Sequence, residues 1–290
     1  MQSNINLSLK GTKATISLNN GAAITSLSVQ IEGAEKTLMI VHPNHRFENA
    51  WLFPFPNRLK NGRFEFEGNE YQFPLNDNDQ MPNALHGFLS DQGFEVITQS
   101  ESHCDLSFEY PGDLAYYPFP CTINIRYELV ENGLKTVVTI TNQGLTKMPF
   151  GLGWHPYFHF ENGVDNAQLK MPECTTVQLD ELGIPKGVEK PSHYFDEFTK
   201  LEQQHLDNCY RTTQSGKNMT EAQFNTGEIL QVWQNGEYPF IQVYTHPERK
   251  SFAIEPMSCA VNALNSGDGL TILSPNESKQ FTAGFKLTPA

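Results

Sequence analysis

INIRYELVENGLKTVVTI, residues 123–140, reads as two strands joined by a tight turn. Apolar and polar residues alternate on both sides of Asn132-Gly133, a dipeptide suited to the left-handed backbone of a two-residue hairpin loop. A turn there sets Tyr127 against Val138 and Ile125 against Ile140, so apolar partners meet on one face. RFEFEGNEYQF (63–73) follows the same plan. A turn at Gly68-Asn69 pairs Phe66 with Tyr71 and Phe64 with Phe73. Four aromatics then share one face and the glutamates take the other.

Working outward, short strand patterns recur near residues 13–18, 23–31, 104–109, 228–233, 239–245 and 279–287. The best helical candidate is the short DEFTKLEQQ (196–204), and the polar segment 181–225 reads as long surface loops. Many strands separated by Gly, Pro and Asn turns point to an all-β chain. The expectation is a large antiparallel β-sandwich of two packed sheets, in one domain spanning 1–290.

Composition narrows the function classes. The chain has 290 residues, 38% of them hydrophobic and 18% charged, which suits a packed core rather than disorder. A net charge of −13 argues against nucleic acid or an anionic membrane as partner, because phosphate binding needs clustered cations. The N-terminus lacks the apolar stretch of a signal peptide, and no apolar run reaches membrane-spanning length. The five cysteines are dispersed, with no zinc spacing and no disulfide framework, so a reduced cytoplasmic setting is expected. Two Asn-x-Ser/Thr matches, at Asn218 and Asn276, are then coincidental.

Three segments each set one titratable residue among apolar or aromatic neighbours. They are PFPNRLKNGRFEFEG (54–68) followed by NALHGF (83–88), FGLGWHPYFHF (150–160), and FAIEPMSCAVNALN (252–265). Their central residues are His86, His155 and Glu255. A Glu between Phe252-Ala253-Ile254 and Pro256 is desolvated, which raises its pKa and suits a base working near neutral pH. Such a Glu can equally be a buried partner of an Arg. His155, flanked by Trp154 and Tyr157, suits a sugar site, where rings cover the apolar face and polar groups meet the hydroxyls. A core histidine is the plainer reading. Arg58 stands alone as a loop cation. His42, His45, His103, His193 and His246 read as surface residues. His159 shares a strand face with His155, but a His-x-x-x-His zinc pair needs a helix, which Pro156 opposes, so no metal is expected.

In these segments the chain resembles the aldose 1-epimerase, or galactose mutarotase-like, family. NRLKNGRFEFEGNEYQFPLN with NALHGF is similar to the family's Asn-Arg, Gly-x-Phe, Gly-x-x-Tyr and Asn-x-Leu-His-Gly series. GWHPYF resembles its second histidine motif, LDNCY its aspartate motif, FIQVYT its glutamine strand, IEPMS its catalytic glutamate and GLTILSPNES its closing segment. The matches run in order from about residue 50 to 285. The resemblance implies a mutarotase that interconverts the α and β anomers of a free hexose without a cofactor. It assigns Glu255 as base, His155 as acid, His86 and Arg58 as sugar holders, and Asp207 and Gln242 as partners of further hydroxyls. It implies a monosaccharide substrate and a monomer or weak homodimer. Glu255 is expected ionised and His155 protonated at rest, which gives a bell-shaped pH profile.

Two departures leave the sugar open. Phe88 follows Gly87 where many relatives carry a second glycine, and the Trp154–Pro156 context resembles a divergent branch of the family. Two alternatives stand beside the main reading. One is a hexose-6-phosphate 1-epimerase, with Arg58, Lys60 and Arg63 as candidate cations. The other is a non-catalytic carbohydrate-binding protein on the same fold. A glycoside hydrolase would need a second carboxylate across the scissile bond.

Overall fold

The structure, a computed structural model, describes residues 3–42, 46–78, 80–214 and 216–290. Strands take 53% of the chain and helix 4%. All the strand pairs in its three large sheets are antiparallel. The architecture is the expected large β-sandwich, with an additional four-stranded sheet formed by residues 4–40.

The nine-stranded sheet is built around Cys121–Val130, Gly133–Asn142 and Ser278–Thr288. The eight-stranded sheet runs through Cys174–Leu179, Asp207–Thr212, Phe240–Thr245 and Ser251–Met257 to Gly153–Trp154 and Trp51–Leu52. Tyr157–His159 also pairs with Ser251–Met257. The two sheets meet through large rings. Phe285 of the nine-stranded sheet stacks on Trp154 at 6.3 Å and meets Phe158 edge-on at 5.1 Å. Trp51 donates through Nε1 to the Tyr127 hydroxyl at 2.6 Å, which satisfies two polar atoms inside this core.

Both hairpins form, with registers that differ from expectation by two residues. Ile125 faces Val138, and Phe64 faces Tyr71. The loops are Glu131-Asn132 and Glu67-Gly68, each one residue earlier than expected. The cause in the first hairpin is Gly133. It lies within the strand, where a Cβ would come 2.1 Å from the Phe285 carbonyl oxygen. That glycine answers to a neighbouring strand, and Asn132 (φ +59°) turns the chain. A two-residue slip preserves the faces, so Phe64, Phe66, Tyr71 and Phe73 still lie together.

Residues 196–204 form no helix. Phe195 and Leu201 are both buried, and backbone bonds from Met171 N to Phe195 O (2.8 Å) and from Leu201 N to Ala167 O (2.9 Å) draw the segment to a sheet edge. Thr199–Lys200 pairs there with Gln168–Lys170. The region 181–225 likewise holds strands, namely Pro185–Ser192, Asp207–Thr212 and Asn218–Gln223. Pro185–Ser192 reads as loop because it is an exposed edge rich in Lys and Pro, residues that discourage further pairing. The five cysteines are buried and unpaired. Among the described residues no helix is long and apolar enough to cross a membrane.

Candidate functional site

Register places the chemistry. Gln242 lies opposite Glu255 on the adjacent strand. On the other side of the glutamate strand, Gly153 pairs with Met257 and Tyr157 with Ala253. Both pairs belong to one antiparallel register, so His155 falls opposite Glu255. Gln242, Glu255 and His155 thus form one row across three neighbouring strands. The next row on that face holds Asp207, Tyr244, Ala253 and Tyr157. Ala253 is the small member, and the Tyr157 and Tyr244 rings meet across it at 6.3 Å.

Above these rows stands the short pair Arg58–Leu59 with Ala84–Leu85. His86 follows with φ +62° and Gly87 with φ +69°. The glycine is required, since a Cβ would lie 2.0 Å from the Phe53 carbonyl oxygen. Phe88 packs against Phe53 at 5.9 Å and Tyr117 at 5.8 Å. Asn57 N donates to His86 Nδ1 at 3.0 Å, and His86 N donates to Asn57 O at 2.9 Å. Because Nδ1 accepts, the neutral ring carries its hydrogen on Nε2.

All six candidates, Arg58, His86, His155, Asp207, Gln242 and Glu255, line one cleft of about 330 Å³, a size within the range of small-molecule sites. His155 Nε2 stands 3.5 Å from Glu255 Oε1. Asp207 Oδ1 accepts from Gln242 Nε2 at 2.6 Å. Arg58 Nε donates to Asp77 Oδ2 at 2.8 Å, and its Nη1 lies 3.9 Å from Asp207 Oδ2. Asn57 and Tyr244, which the sequence did not point to, also line the cleft, as do Tyr157, expected there only as an aromatic neighbour of His155, and His246, expected at the surface. His246 is half-buried at the cleft and not a plain surface residue. The signal was present, because Gln242, Tyr244 and His246 occupy alternate positions and share a strand face. His45 lies outside the described residues.

Burial governs the electrostatics. It pushes His155 down to about 3, which favours the neutral imidazole. It lowers His86 as well, with His155, Arg58 and Arg46 adding to the effect. Glu255 is raised well above the ordinary carboxyl value by burial and then by Asp207. The resting pair therefore favours the proton on Glu255, the reverse of the ionised pair expected from sequence. Desolvation is the reason, since both groups are buried and burial penalises the charged form of each.

Three buried polar atoms of the site have no hydrogen-bond partner on another residue: His155 Nδ1, Gln242 Oε1 and Glu255 Oε2. Leaving a buried polar group unpaired costs about 1–3 kcal/mol. A ligand rich in hydroxyls would recover that cost by donating to the two oxygens. Among the described residues, no group of three or more His, Cys, Asp or Glu is arranged to hold a metal ion.

A family model described as aldose 1-epimerase matches residues 4–286. The Escherichia coli K12 protein YihR is 29% identical over 229 residues, covering 77% of this chain and 73% of YihR. Galactose mutarotase of Rattus norvegicus is 25% identical over 272 residues, covering 81% of this chain and 77% of the rat protein. Among solved structures, an aldose epimerase homologue from C. elegans superposes with TM-score 0.87 at 19% identity, covering 99% of both chains. A galactose mutarotase-like protein from Clostridium acetobutylicum gives TM-score 0.86 at 20% identity, covering 99% of this chain and 95% of its own.

Proposed function

The chain belongs to the aldose 1-epimerase family, and from that premise we propose that its cleft interconverts the α and β anomers of a free hexose by opening and reclosing the sugar ring. The observation that carries the reading is the His155–Glu255 pair, buried together 3.5 Å apart in a polar cleft. The anomeric carbon bears both oxygens that exchange protons, the hydroxyl and the ring oxygen. An acid and a base serving one carbon must therefore stand close to each other.

Glu255 takes the proton from the anomeric hydroxyl as His155 gives one to the ring oxygen. The C1–ring oxygen bond breaks, leaving an aldehyde and a chain hydroxyl. The carbonyl end rotates, the chain hydroxyl attacks the other face, and the two protons return. Only one proton is shared by the pair throughout. Burial favours its resting on Glu255 before sugar binds. Sugar hydroxyls donating to Glu255 stabilise the carboxylate and move that proton to His155, which prepares the ring-opening state. Each positioned proton transfer is typically worth about 10²–10⁴-fold. His86 donates from Nε2, and Asp207, Gln242 and Arg58 hold further hydroxyls. No cofactor takes part.

Of the three cations considered for a 6-phosphate, Arg58 lines the cleft, where Asp77 and Asp207 offset it. Lys60 and Arg63 line a separate groove. The offset of Arg58 supports a free sugar, whereas Arg46, which also lines the cleft and donates from Nη1 to Asn76 O at 3.0 Å, is the cleft cation that would favour a phosphate. The continuous core from Ile5 to Leu287 supports one catalytic domain over the chain, and the unpaired cysteines support a cytoplasmic setting. Polarimetry on freshly dissolved α-hexoses, with and without 6-phosphate, tests the reading. Accelerated decay of rotation for a free sugar is expected. Acceleration only for a 6-phosphate would transfer the activity to the phosphorylated substrate. Sugar binding without acceleration would leave a binding protein.

A further inference from the structure

His155 lacks the usual device for aiming a catalytic imidazole. Its buried Nδ1 has no hydrogen-bond partner on another residue and reaches only its own backbone, whereas working histidines are commonly fixed through the second ring nitrogen by a neighbouring residue. The ring is confined all the same. Tyr157 lies parallel to it, with centroids 4.8 Å and planes 10° apart. His86 meets it at 5.3 Å and 67°.

One residue sets the two stacked rings in register. Asn49 N donates to His155 O at 2.9 Å, and Asn49 Oδ1 accepts from Tyr157 N at 2.8 Å. Its Nδ2 donates to Ile24 O at 2.9 Å, so this fully buried side chain is satisfied at both ends. Asn49 holds φ +59°, a conformation asparagine tolerates better than most residues. His155 N donates to Ala50 O at 3.0 Å, which completes the clamp. The far side of Tyr157 is braced by Tyr244 and His246, each at 6.3 Å.

We propose that Tyr157 is the positioning residue of the acid, its ring face aiming the His155 imidazole and supporting the imidazolium form that the proton relay requires. The inference rests on the mutarotase reading above. The face of a phenol ring carries negative potential, so a cationic ring stacked on it is favoured over a neutral one, and more so away from water. The stack thus opposes the desolvation that otherwise keeps His155 neutral. The other titratable groups around His155 are Glu255 on the adjacent strand and His86 with Arg58 above. Asp207, Tyr244 and His246 lie along the same cleft, with Arg46 lining it as well. None of these lies parallel against the imidazole.

Tyr157→Phe and Tyr157→Leu separate ring from hydroxyl, read by the pH profile of kcat from polarimetry. Tyr157→Leu should move the alkaline limb, where the acid loses its proton, down by about one pH unit, the size expected for a desolvated cation–π contact. Its kcat at pH 8 should fall about tenfold, with KM changed much less. Tyr157→Phe should return the limb to its wild-type position. A Leu variant with an unmoved limb would overturn the inference, and so would a Phe variant displaced as far as Leu. Circular dichroism checks folding, and Tyr157→Met replaces Leu if that variant does not fold. NMR titration of the His155 ring in wild-type, Phe and Leu proteins needs no turnover. It should give the same order, with Leu lowest. If the wild type fails to mutarotate, the functional reading falls, while the titration still decides the stack.

Discussion

Cys121–Val130 and Ser251–Met257 are strands of the two large sheets, and they treat polar side chains in opposite ways. In CTINIRYELV, buried and accessible residues alternate along the strand, so the charges have an outlet. Arg126 uses it, pairing with Asp105 at 3.0 Å on the open face. SFAIEPM is buried at all seven positions. Glu255 has no outlet, and it faces Gln242 and His155 with one oxygen unpartnered. The first strand follows the pattern that stabilises a sheet. The second breaks it at one residue, where a desolvated carboxyl is poorly stabilised as an anion and correspondingly strong as a base.

The contrast is broken most directly at Glu255. Glu255→Gln preserves shape and should lower mutarotation by about 10²-fold or more, as should His155→Asn. The double variant should fall little further if, as proposed, both groups serve one relay. Polarimetry measures all three, and near wild-type decay in Glu255→Gln would return that strand to ordinary core. A smaller effect is expected in the alternating strand. Ile125→Ala, at a position 1% exposed, should cost about 2–5 kcal/mol in urea unfolding. Turnover per folded molecule should stay unchanged, and a loss of activity there would mean that the sheets are not separable in role.

The smallest effect is the most specific. Glu255 has a raised pKa in the fold, so as pH rises above about 4.5 the unfolded chain loses this proton first. The native state is then progressively destabilised by the group. Glu255→Gln removes that term, and its advantage in Tm over wild type should grow from pH 5 to pH 8. His155 has the opposite sign. Its pKa is lowered to about 3, so native stability is lost as pH falls from about 6.5 towards that value. His155→Asn should therefore gain relative to wild type only in acid. Thermal melts across pH check both signs, and parallel curves would mean that neither group is desolvated.

How much was legible beforehand depends on whether the information is local. Alternation in residues 63–73 and 123–140 fixed strands and faces, because side chains repeat every second residue whatever the partner strand does. Both registers were misjudged by two, since Gly133 is a glycine on account of Phe285, more than 150 positions away. Residues 196–204 resembled a helix until the Gln168–Lys170 strand claimed them. His246 looked like surface because its neighbours are polar, although its alternation with Gln242 and Tyr244 was available to read.

The sequence by itself determined an all-β chain and the order of the motifs, because strand type and residue chemistry are written locally, and it was the resemblance of those ordered motifs to the aldose 1-epimerase family, not periodicity, that picked out the six residues lining one cleft. The tertiary structure alone decided that His155 stands opposite Glu255, that Asn57 fixes the hydrogen of His86 on Nε2, and that the resting proton favours Glu255. Those depend on register and desolvation. Both are set by segments distant in the chain, and neither leaves a periodic trace in it.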